Sequence, residues 1–590
     1  MTHLDPRLLS VFAVAAVTSG LGGGLVRRTM LGLGIVVQPR PDRWHRTPTP
    51  TYGGIAILGA LVTALLLFAP VSLQPLLPLA AVGAALFAAG WYDDLVPMSA
   101  LEKMVSSLAV AAFFVLALTG VRATPWQAGL TVAAVIWFGF IDNAVNLLDN
   151  MDGLAAGVSA VAAIGLAAVF PGELGPAVYL LVALAGALVG FLAWNRYPAK
   201  IFMGNCGSLA IGGLLAACAT MAIARAGTFT AAAAAALVLV VPIVDTTFVV
   251  LLRRLAGRST TRGNIDHTSH RLVSAGFSEP KAVAVLSALG VGGAVCAYLL
   301  RSSPTSGWPI AVTFAVGVLM FLLYLARVPS YAGQDFQALQ NAPFAPLLSD
   351  LTFRWHAGEV LLDLALIATC YYAAYRIRFE GEALNTFLPG FAASLPAILG
   401  CQLLALYLSG LYSRMWSTFG LHDLSTVLRG VGGGVVLSVL AVTYLYKFER
   451  FSRGVFIINA VLLTIAIVGT RLSFRILGRV AARNSPHKRR VAIYGAGSRG
   501  RLLARELQVN ADWGLNPVAF FDDKRQLMSR RIIGVPVRGT VDDLERVIQS
   551  MTIEEILLSS PAINGRVEAR VREVCTALGV PVRRLHLDIR

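Results

Sequence analysis

The chain has 590 residues, 56% of them hydrophobic and only 14% charged, with a mean hydropathy of +0.70; a soluble domain carries about 25% charged residues, so a polytopic α-helical membrane protein is predicted. The net charge of +17 fits basic membrane-surface loops touching anionic lipids, and no nucleic-acid partner is needed to explain it. Six cysteines (Cys206, Cys218, Cys296, Cys370, Cys401, Cys575) are scattered with no C-x-x-C pair, which argues against a disulfide framework or a zinc site.

The first apolar run, 8–26, leads into Arg27-Arg28 without a small-residue cleavage site and reads as a retained span rather than a signal peptide. Further runs lie near 53–69, 76–91, 104–119, 127–141, 153–170, 177–194, 208–224, 230–252, 282–299 and 309–326. With the first they predict about 11 transmembrane helices, several at the short end of the roughly 17–25 residue window. A polar, proline-bearing segment follows, and then four more candidate spans near 358–375, 391–411, 427–446 and 455–474. The loop 27–50 holds Arg27, Arg28, Arg40, Arg43 and Arg46, so it is expected to be cytoplasmic. Counting spans forward puts Asp93-Asp94, the stretch 142–152, Asn195–Ser208, Arg253–Arg271 and the C-terminal part on that same side.

Two polar features interrupt the apolar pattern. Asp93-Asp94 closes one run, and Asn143, Asn146, Asp149 and Asp152 recur at intervals of three before Gly153-Leu154. On a helix that spacing keeps each neighbouring pair on one face. Carboxylates at membrane depth are costly and functional by default, and hard cations take oxygen ligands. A site gathering Mg²⁺ and phosphates is therefore expected. Two snorkelling helix ends would account for Asp93-Asp94, but not for a ladder of four polar residues.

In order, the chain shows Arg43-Trp44-His45-Arg-Thr-Pro48-Thr-Pro50-Thr-Tyr-Gly53-Gly54, Asp93-Asp94, Asn143–Leu154, Phe202-Met-Gly204-Asn205-Cys-Gly207-Ser208, Pro242-Ile-Val-Asp245 and Asp266-His267-Thr-Ser269-His270-Arg271-Leu272. These blocks, spread over about residues 8–327, resemble the polyprenyl-phosphate N-acetylhexosamine-1-phosphate transferases of the WecA/MraY superfamily. The resemblance implies transfer of a sugar-1-phosphate from a UDP-N-acetylhexosamine to an undecaprenyl-type polyprenyl phosphate, with release of UMP. It implies catalytic roles for Asp93, Asp94, Asp149, Asp152, His267 and His270. It further implies substrate contacts from Arg43, His45, Lys103, Asn143, Asn146 and Arg271, and an Mg²⁺ site (Mn²⁺ being the alternative ion) including Asp94 and Asn205. A snorkelling helix-end lysine is an equally good local reading of Lys103, and an isolated loop histidine is ordinarily a solvated surface residue. Four positions depart from the family pattern. Asn205 stands where Asp is usual, Gln38 where Asp often precedes the proline, Trp44 where Lys is frequent, and Ser269 where the loop motif has its middle histidine.

From Lys488 the character changes to alternating apolar strands and charged helices. Val491-Ala-Ile-Tyr494-Gly495-Ala-Gly497-Ser-Arg-Gly500 reads as strand, G-x-G-x-x-G turn and helix, and Phe521-Asp522-Asp523 follows at the spacing of a ribose-binding acid. Gly495, Gly497, Gly500 and Asp522 are thus candidates for binding NAD(P) or another nucleotide. A packing domain that keeps the glycines only for the tight turn is the even alternative. Tyr375-Arg376-Ile-Arg378-Phe379, Gly410-Leu-Tyr412, Gly495–Gly500 and Phe521–Asp523 resemble the N-terminal part of membrane-bound sugar-nucleotide dehydratases and epimerases of polysaccharide biosynthesis. Those enzymes need a Tyr-x-x-x-Lys pair in a second domain, and no tyrosine follows Tyr494. Dehydratase or epimerase chemistry is therefore not expected.

The expected organisation is a transferase membrane domain at 1–327, a linker at 328–357, a four-helix membrane anchor at 358–487 and a Rossmann-like α/β cytoplasmic domain at 488–590. The expected location is the bacterial inner membrane, among membrane lipids. A homodimer and downstream glycan enzymes are left open as partners. The competing reading is a non-catalytic membrane scaffold that binds sugar nucleotides and recruits glycan enzymes.

Overall fold

The computed structural model describes residues 5–584 except 39–47, 69–73, 121–123, 256–265, 327–354, 414–420, 450, 484–488, 510–513, 524–526, 528–529 and 560–564. The expected linker and the loop carrying Arg43, Trp44 and His45 therefore lie almost wholly, or wholly, outside the described residues. Two compact units form: Met1–Val273 with Ser278–Leu472, and Ser274–Phe277 with Ser473–Arg590.

The first unit is helical. Its helices are α1 (Pro6–Gly32), α2 (Gly54–Phe68), α3 (Leu77–Leu95), α4 (Ala100–Thr119), α5 (Pro125–Leu148), α6 (Leu154–Val169), α7 (Pro171–Leu174), α8 (Ala177–Asn195), α9 (Asn205–Ala226), α10 (Phe229–Val238), α11 (Val240–Leu255), α12 (Thr268–Ser274), α13 (Glu279–Ser302) and α14 (Pro304–Ala326). Then come α15 (Trp355–Arg378), α16 (Gly381–Leu408), α17 (Leu421–Tyr446) and α18 (Arg453–Arg483). Among the described residues 12 helices are long and apolar enough to cross a membrane. One bent pair (α10 with α11, 80°) and two shorter apolar helices, α2 and α6, account for the remaining predicted spans. Twelve or, with the bent pair, 13 of the 15 expected spans are thus matched by helices long enough to cross, while those expected at 53–69 and 153–170 fall on the shorter α2 and α6 and that at 230–252 is broken at Leu239.

α9 is the most buried of the candidate membrane helices among the described residues. Its best apolar window is 94% buried, and it is built largely of Ala, Gly, Cys and Leu, small residues that let neighbouring backbones approach closely in a membrane. Gly90 of α3 shows the point: a Cβ there would lie 2.3 Å from the Asn205 carbonyl oxygen. Any larger residue would push α3 off the start of α9 and separate Asp94 from it.

The polar ladder is not one helical face. α5 ends at Leu148, with Asp149 as its C-cap, and Gly153 adopts a left-handed φ of 77° before α6 begins. Asn143 and Asn146 share the helix, whereas Asp149 and Asp152 sit in the turn. The reason is local: Asp149-Asn150 favour turn conformations through their short polar side chains, and Gly153 supplies a positive φ at no steric cost.

In the four-helix part, Arg471 of α18 grips Asp363 of α15 through both guanidinium nitrogens, at 3.0 and 2.7 Å, and Tyr412 donates to the same carboxylate at 2.8 Å. Asp363 is 0% and Arg471 1% exposed. A bidentate, hydrogen-bonded pair is the form in which buried charge is tolerable in a membrane.

The second unit holds a six-stranded sheet in the order β5-β6-β4-β3-β7-β8. Its strands are β3 (Arg489–Tyr494), β4 (Leu515–Phe521), β5 (Arg531–Ile532), β6 (Val535–Gly539), β7 (Glu555–Leu558) and β8 (Val582–Arg584), the numbers β1 and β2 belonging to a two-stranded pairing of Val36–Val37 with Thr49–Pro50. All its strand pairs are parallel except β5 with β6. The helices Ser498–Val509, Leu544–Met551 and Gly565–Ala577 alternate with the strands. β3 is central and the chain winds outward in both directions from it, which is the doubly wound order of a Rossmann-like domain.

Candidate active site

Three segments distant in sequence meet around the start of α9. Asp94, at the end of α3, accepts from the backbone amides of Asn205 (3.0 Å) and Cys206 (3.1 Å). Gly204 turns the chain there with a φ of 78°, and a Cβ on it would touch both Asp94 Oδ2 and Thr51 Oγ1 at 3.0 Å. The carboxylate thus satisfies the unpaired N–H groups of a helix N-terminus and faces its positive dipole end. From α5, Asn146 Nδ2 donates to Asn205 Oδ1 (3.2 Å) and to Ser208 Oγ (2.7 Å). Asp93 turns the other way. It accepts from the Met98 amide at 2.8 Å and pairs with Lys103 Nζ at 2.6 Å. The adjacent acids therefore serve different partners, and Lys103 is an ion-pair partner of the acidic block rather than a lone snorkelling lysine.

The turn after α5 is fastened to the loop before α9. Asp152 accepts from the Ala199 amide at 2.8 Å, while buried Asn195 accepts from Gly153 N and donates to the Ile201 carbonyl. The histidine segment joins the same turn, because Ser269 Oγ donates to Asn150 Oδ1 at 2.7 Å.

That segment is buried, so the solvated-loop alternative for its histidines is overturned: His267 is 7% and His270 5% exposed. Asp245 of α11 explains the local structure. It bonds His267 Nδ1 at 2.7 Å and takes the Thr268 amide and hydroxyl at 2.8 and 2.6 Å, capping the short helix α12. Burial first, and then the neighbouring His267, depress the His270 pKa from 6.5 to about 4, so His270 is neutral at neutral pH. Arg271, expected on the substrate, directs Nε at the Asp266 carbonyl and a terminal nitrogen at the Leu325 carbonyl, with its guanidinium over Phe248.

Asp245, Asn195, Asn150 and Ser269 were not picked out as site residues in the sequence. Asp245 carried a signal, a lone acid after Pro242 inside an apolar run; Asn195 closes another run in the same way. Asn150 and Ser269 carried none beyond lying inside the motifs.

In the second unit, Asp522 Oδ2 accepts from the Ala496 amide inside the glycine turn at 2.7 Å. A Cβ on Gly500 would sit 1.8 Å from the Gly495 carbonyl, so the third glycine of the motif is required by the turn itself. Gly497 has open space around its Cα.

The start of α9 thus gathers an acid, two asparagines and a serine beside a second acid–lysine pair, a class of site whose oxygen and amide groups suit phosphate and a hard cation. Comparison with known proteins gives the class its name. Residues 76–223 match the glycosyl transferase family 4 model, and residues 399–583 match a CoA-binding domain model. A Streptomyces coelicolor protein named as a glycosyltransferase is 36% identical over 321 residues, covering 52% of this chain and 73% of that protein. A Bacillus subtilis protein named as a probable undecaprenyl-phosphate N-acetylglucosaminyl 1-phosphate transferase is 30% identical over 353 residues, covering 57% and 96%. The Mycobacterium tuberculosis decaprenyl-phosphate N-acetylglucosaminephosphotransferase is 29% identical over 373 residues, covering 56% and 92%. The chain belongs to glycosyl transferase family 4.

Proposed function

We propose that the protein transfers an N-acetylhexosamine-1-phosphate from its UDP-sugar to undecaprenyl-type phosphate at the cytoplasmic face of the bacterial inner membrane, and so initiates a lipid-linked envelope glycan. The observation that carries this reading is the bond set linking Asp94, Asn205, Asn146 and Ser208 at the start of α9. An oxygen of the lipid phosphate attacks the β-phosphorus of the UDP-sugar, the bond to the α-phosphate oxygen breaks, and UMP leaves with the electron pair. A phosphate monoester has a second pKa of about 6, so the acceptor is already largely dianionic and needs no dedicated base. Asp93 and Asp94 act first as electrostatic organisers. Asp149 and Asp152 position the nucleotide end, and neutral His270 with His267 offers hydrogen bonds to the diphosphate. Arg43, His45 and Asn143 complete the substrate contacts in this reading.

The donor set suits a hard dication. Beyond the bonds described, the Asp94 carboxylate and the Asn205 amide oxygen each keep acceptor capacity, and both are oxygen ligands. Among the described residues no three or more His, Cys, Asp or Glu side chains are arranged so as to hold a metal ion by themselves. Substrate phosphates and water would therefore supply the other ligands, as Mg²⁺ commonly requires. Mg²⁺ bound there would neutralise charge on the two phosphate groups that must meet.

The Rossmann-like domain suits a nucleotide-containing ligand, NAD(P) or, from the CoA-binding match, a coenzyme A derivative, and serves regulation or docking rather than the transfer step. The test of the whole reading is UMP release from purified protein given Mg²⁺, polyprenyl phosphate and a panel of UDP-sugars. Release with one UDP-N-acetylhexosamine supports it, and silence across the panel overturns it in favour of the scaffold.

A further inference from the structure

One helical turn beneath the site lies a buried pair that the proposed chemistry does not use. Asp142 of α5 is 0% and Ser107 of α4 1% exposed, and Ser107 Oγ donates a short hydrogen bond to Asp142 Oδ2. The other carboxylate oxygen, Oδ1, has no hydrogen-bond partner among the described residues. It lies against Gly212 of α9, where a Cβ would come within 2.9 Å of it. An acid at this depth, with half of its bonding capacity unspent, is retained for a reason other than stability.

The helical period supplies that reason. Asp142 lies four residues before Asn146, Ser107 four after Lys103, and Gly212 four after Ser208, so each lower residue stacks under an upper one. The upper layer makes the site's contacts: Lys103 to Asp93 at 2.6 Å, and Asn146 to Asn205 and Ser208. α4 turns an apolar face outward, with Phe113 70% exposed. It also packs on α5 through apolar contacts, such as Phe114 on Phe138 with ring centroids 5.9 Å apart. Apolar contacts leave rotation about a helix axis soft, whereas a hydrogen bond fixes direction.

We infer that Asp142 and Ser107 are a positioning pair: their bond holds α4 against α5 at the rotation that keeps Lys103 on Asp93 and Asn146 on Asn205. The inference rests on the reading that those upper residues handle the phosphates. In full-length protein, Ser107→Ala and Asp142→Ala should each lower kcat for UMP release by about tenfold, the equivalent of one lost hydrogen bond. KM for the UDP-sugar and the melting temperature should stay near wild type. The double variant should be no slower than either single one. Asp142→Asn, which keeps an acceptor for Ser107, should recover most of the loss, and Ser107→Ala should cost clearly less in a Lys103→Met background than in the wild type, the remainder passing through Asn146. Unchanged kcat in Ser107→Ala overturns the inference. So do equal losses in Asp142→Asn and Asp142→Ala, or losses that add in full to that of Lys103→Met. A wild-type protein that releases no UMP from any UDP-sugar overturns the transferase reading instead, a distinguishable failure.

Discussion

His270 links burial to a measurable pH dependence. Its pKa falls from 6.5 to about 4 in the folded protein, chiefly because burial disfavours the imidazolium and then because His267 stands beside it, with Asp245 and Asp266 opposing. Between pH 6.5 and about 4 the unfolded chain binds a proton at this position that the folded chain does not. Stability therefore falls as pH falls through that window, and is fully present above it. The difference between the two pKa values corresponds to about 3 kcal/mol at the acid end, at about 1.36 kcal/mol per unit. His270→Gln keeps hydrogen-bonding groups but cannot titrate. In detergent, melting temperature followed from pH 7.5 to 4.5 should drop more steeply for the wild type than for His270→Gln, with the two curves separating below about pH 6.5. Parallel curves across the whole range would refute the assignment of a buried, neutral His270.

Single Asn substitutions at Asp93, Asp94, Asp149 and Asp152 should each reduce UMP release by about a hundredfold or more in protein that remains monodisperse, as expected when charge organisation of a phosphoryl-transfer site is lost; near-normal turnover in all four would sink the site. Asn205→Asp adds a carboxylate to the start of α9 and should shift the Mg²⁺ dependence of the reaction to lower concentration, read from a metal titration of the initial rate. An unchanged titration would place Asn205 outside the coordination sphere. A chain ending at Leu472, which retains every transferase motif, should still transfer sugar phosphate in detergent while losing any response to added nucleotide. Complete loss of turnover in a well-folded truncation would show that the C-terminal unit completes the active site.

The membrane helices were legible because a bilayer-spanning run of apolar residues has few other uses, and the apolar runs located the long helices of the first unit, though not the short α7 and α12. The break between α10 and α11 was not, since Leu239 differs in no chemical respect from its apolar neighbours; only packing decides where such a run bends. The ladder was read as a helix because a spacing of three satisfies the helical period. The competing signal was present in Asp149-Asn150 and Gly153, residues that end helices by offering the backbone other hydrogen bonds. The glycine turn, Asp522 and the strand–helix alternation after Lys488 were legible for the opposite reason: Gly500 is held by a steric requirement so tight that a Cβ would overlap the Gly495 carbonyl. Hydrogen-bond partners remained invisible throughout. Nothing in the sequence said that Asp93 would face Lys103 while Asp94 faced α9.

That divergence bears on how the site works. Asp94 accepts a bond at each of its oxygens from the amides of Asn205 and Cys206, so the helix start holds it in position. Charge-assisted bonds of this kind are each worth about 1.5–3 kcal/mol, enough to hold the carboxylate in place before any ligand arrives. The same amides and dipole that fix Asp94 also favour a phosphate at this point. A substrate phosphate and Asp94 would therefore compete for one positive end, and a dication held by Asp94 and Asn205 would offset their mutual repulsion. Asn205, neutral where a second acid would repel both, holds Asn146 instead of adding charge. On this geometry Asp94→Asn should damage the start of α9 as well as the chemistry, whereas Asn205→Ala, which leaves the two amides and Asp94 untouched, should loosen Asn146 and Ser208 alone.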